Sequence, residues 1–405
     1  MRALGERLAL GVIELFRRLP WTGWAAWIAF CVIALLRTDP RRFGATFEAY
    51  LLAAQRLAAH GQVYDPANLG DFLYLPVALL VLVPFTGLDP TLAAAITLAL
   101  YALALTLAVV ALTRRLFPQG TPETTALYLA GILLFVNIPA AWFNFKGVQS
   151  QIVMTAMMVA AAAAMMRAQW VWASFWLFLA IVLKPLAMVM LLLCAALYPR
   201  MRIPLILALV AALALPFAFY DWSYLIELHR AHAVKLWAIA SAPPAAWPYQ
   251  ADFTTLLRVI GVVLPAPVSV AVRLAAALAT LALAWRVRAH GDLRSSAFAI
   301  LILSGCYITL FGPRNEFLSF LVVTPAIAAL GFVLLAADRL DPRAWLLILC
   351  VPVLGMWWTL WIDSWMKPAI ILVIYVWLGR MLLVPQRWQE IFDAGANSIK
   401  SRTVS

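Results

Sequence analysis

Thr46-Phe-Glu-Ala-Tyr50, Gln62-Val-Tyr64-Asp-Pro66 and Phe72-Leu-Tyr74-Leu-Pro76 stand in one polar-aromatic interval, residues 46–76, of an otherwise strongly apolar chain. The interval follows a first apolar run, Trp21–Arg37, and sets Glu48, Asp65 and Asp71 beside Tyr50, Tyr64 and Tyr74. Phe47, Tyr50, Leu51, Ala54 and Leu57 recur at helical spacing, which predicts an amphipathic helix over 46–60. Gly61, Pro66 and Pro76 mark turns. The next run, Leu73–Phe85, decides the topology. At about 1.5 Å per residue it covers about 20 Å, short of the ~30 Å hydrocarbon core. If it crossed, Arg114 and Arg115 would fall outside; if it dips and returns, they fall inside, where basic residues concentrate. The reading is therefore re-entrant.

Composition sets the class around this stretch. Apolar residues make up 65% of the 405 and charged ones 12%, which excludes a soluble globular protein. The expected fold is all-α and polytopic, a bundle of about twelve transmembrane helices with re-entrant and amphipathic helices on the outer side. After 21–37 the spans read as 91–113, 124–142, 149–167, 170–184, 185–198, 203–220, 268–288, 295–311, 316–336, 344–362 and 367–384. More than half of the 30 basic residues then face the cytoplasm, as do both termini. The net charge of +12 reflects these basic loops against anionic lipid, and nucleic acid is not an expected partner. The chain reads as a single membrane unit over 1–405. It comprises a cytoplasmic amphipathic helix at 1–20, outer loops at 38–90 and 221–267, and a cytoplasmic tail at 385–405. No cleavage site follows the first basic segment, so 21–37 reads as an uncleaved span. Cys31, Cys194, Cys306 and Cys350 all lie in apolar runs without a CxxC, as core residues do.

A charge at membrane depth costs about 2.5–3.5 kcal/mol, so each one asks for a reason. Lys184-Pro185 joins two arms too short to cross a full bilayer, which places Lys184 below the outer surface at the floor of a cavity. It reads either as a snorkelling lysine or as a fixed cation for a lipid phosphate. Asn144-Phe-Lys146-Gly147-Val-Gln149 lies on the same face and reads either as a structural turn or as a sugar contact, since Gln149 can both donate to and accept from sugar hydroxyls. Gly312-Pro313-Arg314-Asn315-Glu316 opens a later span, and Arg314 offers a planar fork to phosphate or to an internal carboxylate. His229 and His232 sit one helical turn apart, but no third ligand is visible, so metal is not expected. His232 reads either as a solvated loop residue or as a sugar or phosphate contact. Trp247 and Tyr249, in a Pro-framed loop, read either as part of an interfacial aromatic belt or as stacking surfaces for a sugar ring. DxD, GxGxxG, GxxxxGK[ST] and HExxH are all missing, which disfavours nucleotide-sugar and ATP-driven chemistry.

These motifs carry a resemblance. Phe47-x-x-Tyr50, Ala53-Ala54, Gly61-x-x-Tyr64-Asp65-Pro66 and Phe72-x-Tyr74-x-Pro76 resemble the first outer loop of glycosyltransferase family 87, a polyprenyl-phosphate-sugar-dependent family with the GT-C membrane fold. Gly147-Val-Gln149, Lys184-Pro185 and the Pro313-Arg314 element before Pro325 resemble later elements of the same family. In that family an acid before the Phe-x-x-Tyr element serves as base. Thr46 stands there in this chain and Glu48 is the nearest carboxylate, with Asp65 and Asp71 as alternatives. The resemblance implies a transferase that moves a mannose, another hexose or a pentose from a polyprenyl-phosphate donor to a glycolipid or polysaccharide acceptor. The reaction would take place on the outer face of a bacterial inner membrane. Glu48 would take the acceptor proton, and Lys146, Lys184 and Arg314 would face the donor phosphate. Tyr50, Asp65, Asp71, Tyr74, Gln149, His232, Trp247 and Tyr249 would contact sugar or acceptor. The leaving group departs as a lipid phosphate, so no cofactor is needed, although a divalent cation remains compatible. A flippase, transporter or non-catalytic envelope protein is the alternative, and one-sided clustering of the polar residues favours the enzyme.

Overall fold

The computed structural model describes residues 21–39, 46–68, 72–117, 123–241, 250–313, 315–338 and 340–393. The expected 1–20 helix, Asp71, Trp247, Tyr249, Arg314 and the tail beyond 393 lie outside these residues. The described part is all-helical, with no strand, and its one backbone bridge joins Gln250 to Glu316.

The first three helices are α1 (Thr22–Leu36), α2 (Thr46–Ala58) and the one-turn α3 (Pro76–Leu80), which leads into a 3-10 turn at Val83–Phe85. Five helices are long and apolar enough to cross a membrane: Pro90–Leu116, Pro199–Ala218, Ala266–His290, Leu293–Phe311 and Trp361–Leu382. Glu123–Val136 and Ile138–Lys146 make a sixth if counted together, bent by 61°. Asn137 and Pro139 explain the bend: proline supplies no amide proton, and Asn137 Nδ2 turns back to the Leu133 carbonyl at 2.8 Å. Several further apolar helices are 10–17 residues long, among them Gln151–Met165, Trp170–Leu183 and Pro185–Leu197. This is a membrane protein, with five to six full-length spans by length and composition among the described residues.

Two expectations are corrected. Residues 316–323 do not open a span. Glu316 bridges to Gln250, a 3-10 turn occupies Ser319–Val322, and the helix begins at Thr324. Pro325 therefore starts a helix, where its missing amide proton costs nothing. Likewise the final helix begins at Leu360, not 367, so Asp363 and Lys367 lie inside it.

Small residues let the helices touch. A Cβ on Gly23 would fall 2.6 Å from the Gly131 backbone, and one on Gly355 would collide with the backbone of Pro139 and Ala140. Without a hydrophobic drive between helices in lipid, such close backbone approach is a main source of packing energy.

Candidate active site

The 46–76 interval folds into an aromatic block. Tyr50 meets Phe72 at 5.8 Å and Tyr74 at 5.5 Å, Phe72 meets Tyr74 at 5.4 Å, and Tyr64 lies 4.9 Å from the His232 ring. Such pairs contribute about 0.5–1.5 kcal/mol each beyond their buried area. Hydrogen bonds fix the same block. The Tyr50 and Tyr74 hydroxyls are hydrogen-bonded to each other at 2.9 Å, and Tyr64 donates to the Tyr74 carbonyl at 2.6 Å. Tyr224 donates to the Gly61 carbonyl at 2.9 Å, and His232 Nε2 donates to the Leu73 carbonyl at 3.0 Å. The helix Trp222–Ser241 is thereby tied onto the first loop. Burial, then the facing Tyr74, hold the Tyr50 phenol well above its usual range, and burial does the same for Tyr64. Both stay neutral hydrogen-bonding groups.

Beside this block lies a cavity of about 1260 Å³. Thr46, Tyr50 and Tyr74 form one wall, and Gln149 reaches across it, its Nε2 donating to Thr46 Oγ1 at 2.9 Å. Lys184 stands on another wall in extended backbone, φ −158° and ψ 111°, between Trp170–Leu183 and the turn at Pro185–Ala187. Pro185 forces the break, because the residue before a proline is pushed out of the helical region. Among the described residues no carboxylate lies within ion-pair distance of Lys184.

Two further cations line the cavity that sequence reasoning missed, Arg258 and Arg273. Asp252 organises both. It caps the helix Phe253–Val259 by accepting from Thr255 N at 2.9 Å, and its other oxygen faces Arg273 Nη2 at 3.6 Å. Arg258, one turn further on, donates to Thr255 Oγ1 at 2.8 Å and to Gln250 Oε1 at 3.1 Å. The signal for Arg273 was present: it interrupts the apolar run 268–288, at a depth where charge is expensive.

The expected residues therefore separate. Tyr50, Tyr74, Gln149 and Lys184 come together on the cavity. Glu48 does not. On α2 a shift of two residues rotates a side chain by about 200°, so Thr46 and Tyr50 share the cavity face while Glu48 is exposed away from it. Asp65 is also exposed and outside the lining, accepting from Ala67 N at 2.9 Å in its own turn. Lys146 is off the cavity too, its Nζ 5.2 Å from the centre of the Trp142 ring. His232 supports Leu73 from behind the lining. His229 and His232 face different partners, His229 Nδ1 lying 2.8 Å from the Leu225 carbonyl, and no cluster of metal-ligating side chains occurs among the described residues.

A search of curated proteins gives no match to the chain. The family model of glycosyltransferase family 87 matches residues 72–313, more than half of the chain. The match contains Tyr74, Gln149, Lys184, Arg258 and Arg273, that is, most of the polar surface around the cavity. The chain belongs to glycosyltransferase family 87.

Proposed function

We propose that this protein moves a sugar, a hexose such as mannose or a pentose, from a polyprenyl-phosphate donor to a hydroxyl of a glycolipid or polysaccharide-linked acceptor. The observation that carries this reading is the charge of the cavity. Lys184, Arg258 and Arg273 line it; Asp252 faces Arg273 from behind the lining, and Glu316 is the one carboxylate in the lining among the described residues. Cations set among apolar helices are expensive, and a lipid phosphate arriving from the bilayer offsets that cost. The same cations stabilise the phosphate as it leaves, when its negative charge is greatest. The Tyr50 and Tyr74 hydroxyls, with Gln149, supply donors and acceptors for sugar hydroxyls. The reading places the cavity at the outer face of the membrane. It also takes the shorter apolar helices other than Pro76–Phe85 as crossings of a locally thinned bilayer, which gives about twelve spans.

The test is transfer of labelled sugar from defined polyprenyl-phosphate donors to an extracted acceptor lipid in proteoliposomes. Labelled product that depends on the protein is the expected result. Donor crossing the bilayer without product would identify a transporter and end the transferase reading.

A further inference from the structure

A transfer of this kind needs a proton acceptor, and α2 turns Glu48 away from the cavity. Among the described residues lining the cavity, Glu316 is the sole carboxylate. We infer that Glu316 is the general base of the reaction, an inference that rests on the transferase reading above.

The geometry points to Glu316 through a contrast between its backbone and its side chain. The backbone is held from several directions. Glu316 forms the bridge with Gln250, and the adjacent Ala251 N donates to the Asn315 carbonyl at 2.7 Å. Glu316 N donates to Ser319 Oγ at 3.2 Å, and Ser319 N donates back to the Glu316 carbonyl at 2.9 Å. The next residue, Phe317, stacks on Trp357 with ring centres 6.1 Å apart, and its carbonyl accepts from Lys367 Nζ at 3.5 Å. Lys367 is itself 3.2 Å from Asp363, and both side chains are only 1–2% exposed inside the last helix. The Glu316 carboxylate, in contrast, has no hydrogen bond or ion pair among the described residues, and the residue is exposed. A carboxylate with free oxygens on a turn held this firmly meets the requirement that a reacting group be fixed by its supporting shell while staying open to substrate.

In the step assigned to it, a Glu316 oxygen takes the proton of the acceptor hydroxyl. The hydroxyl oxygen bonds to the anomeric carbon of the donor. The bond from that carbon to the phosphate oxygen breaks, and its electron pair leaves on the phosphate, opposite Lys184, Arg258 and Arg273. Water then removes the proton from the exposed carboxyl.

Glu316→Gln, Glu316→Asp, Glu48→Gln and Asp71→Asn in proteoliposomes, each with turnover and donor affinity measured separately, test this. Glu316→Gln is expected to lose about a hundredfold or more in turnover, the usual contribution of a general base, with donor affinity within about twofold of the parent. Glu316→Asp is expected to recover part of the rate. Full turnover in Glu316→Gln overturns the inference, as does a loss of donor affinity that accounts for the whole loss of rate. So does a loss of turnover confined to Glu48→Gln or Asp71→Asn. In each of these cases an active parent protein leaves the transferase reading standing. A parent that transfers from no polyprenyl donor defeats that reading instead.

Discussion

Lys184 stands out in the sequence alone, because a lone lysine before proline, joining two apolar arms too short to cross a full bilayer, is expected below the membrane surface. It lines the cavity in extended backbone. If it holds the donor phosphate, Lys184→Ala should weaken donor binding by about ten- to a hundredfold, the range for a hydrogen bond to a charged group, and leave acceptor binding nearly unchanged. Binding of labelled donor to the purified variant measures this, and unchanged affinity would remove Lys184 from the site. Glu48 is the opposite case. A carboxylate is expected near the Phe47-x-x-Tyr50 element, and there proximity in sequence stands in for proximity in space. The helical repeat that places Thr46 and Tyr50 on one face excludes Glu48 from it, so the correction is itself written in the residues. Glu316 reads from sequence only as a neighbour of Arg314, because residues 316–323 look like the start of a span. Nothing local in those residues announces the bridge to Gln250, a contact across more than sixty residues.

Among the elements, the helix Trp222–Ser241 depends on a neutral imidazole. Burial lowers the affinity of His232 for a proton, with His229 and Lys235 adding smaller contributions in the same direction, while its Nε2 proton is committed to Leu73 and its ring packs on Tyr64. The sign follows from linkage. Below the ordinary histidine pKa of about 6.5 the unfolded chain binds the proton more readily than the folded one, so stability falls as pH falls through that region and is complete above it. The melting temperature in detergent should therefore drop between about pH 7 and pH 5.5, and His232→Gln should flatten that component of the profile. Helix contacts make a second prediction. Gly355→Val forces a side chain into the Pro139–Ala140 backbone and should cost about 1–3 kcal/mol as overpacking. Gly87→Ala meets nothing within 4 Å and should be neutral within about 0.5 kcal/mol. Thermal melts of the two side by side separate these effects. At this scale, hydropathy makes the long helices readable, whereas the early end of Pro342–Gly355 and the early start of Leu360–Leu382 are not. Apolar residues run through both boundaries, and tertiary packing chooses the ends.

For the whole molecule, the basic residues, taken with the re-entrant reading of 73–85, predict that the cavity opens outward. Single cysteines at Asp65 and at Arg114, on a background lacking the native four, should label from outside at 65 and resist at 114 in intact cells. External labelling at 114 would reverse the orientation and the re-entrant reading with it. The overall membrane class can be read from composition alone. The cavity cannot, because its walls come from Thr46 to Ser319 and only folding brings them together. One member of the assembly never touches the cavity. The buried Asp363–Lys367 pair holds Phe317 from a helix that follows every described lining residue in the chain. During synthesis those lining residues leave the ribosome first, and the turn carrying Glu316 waits for a support not yet made. If Glu316 is the base, activity is tied to the order of manufacture: a chain arrested before 360 carries every described lining residue and still lacks the helix that holds Phe317 beside Glu316.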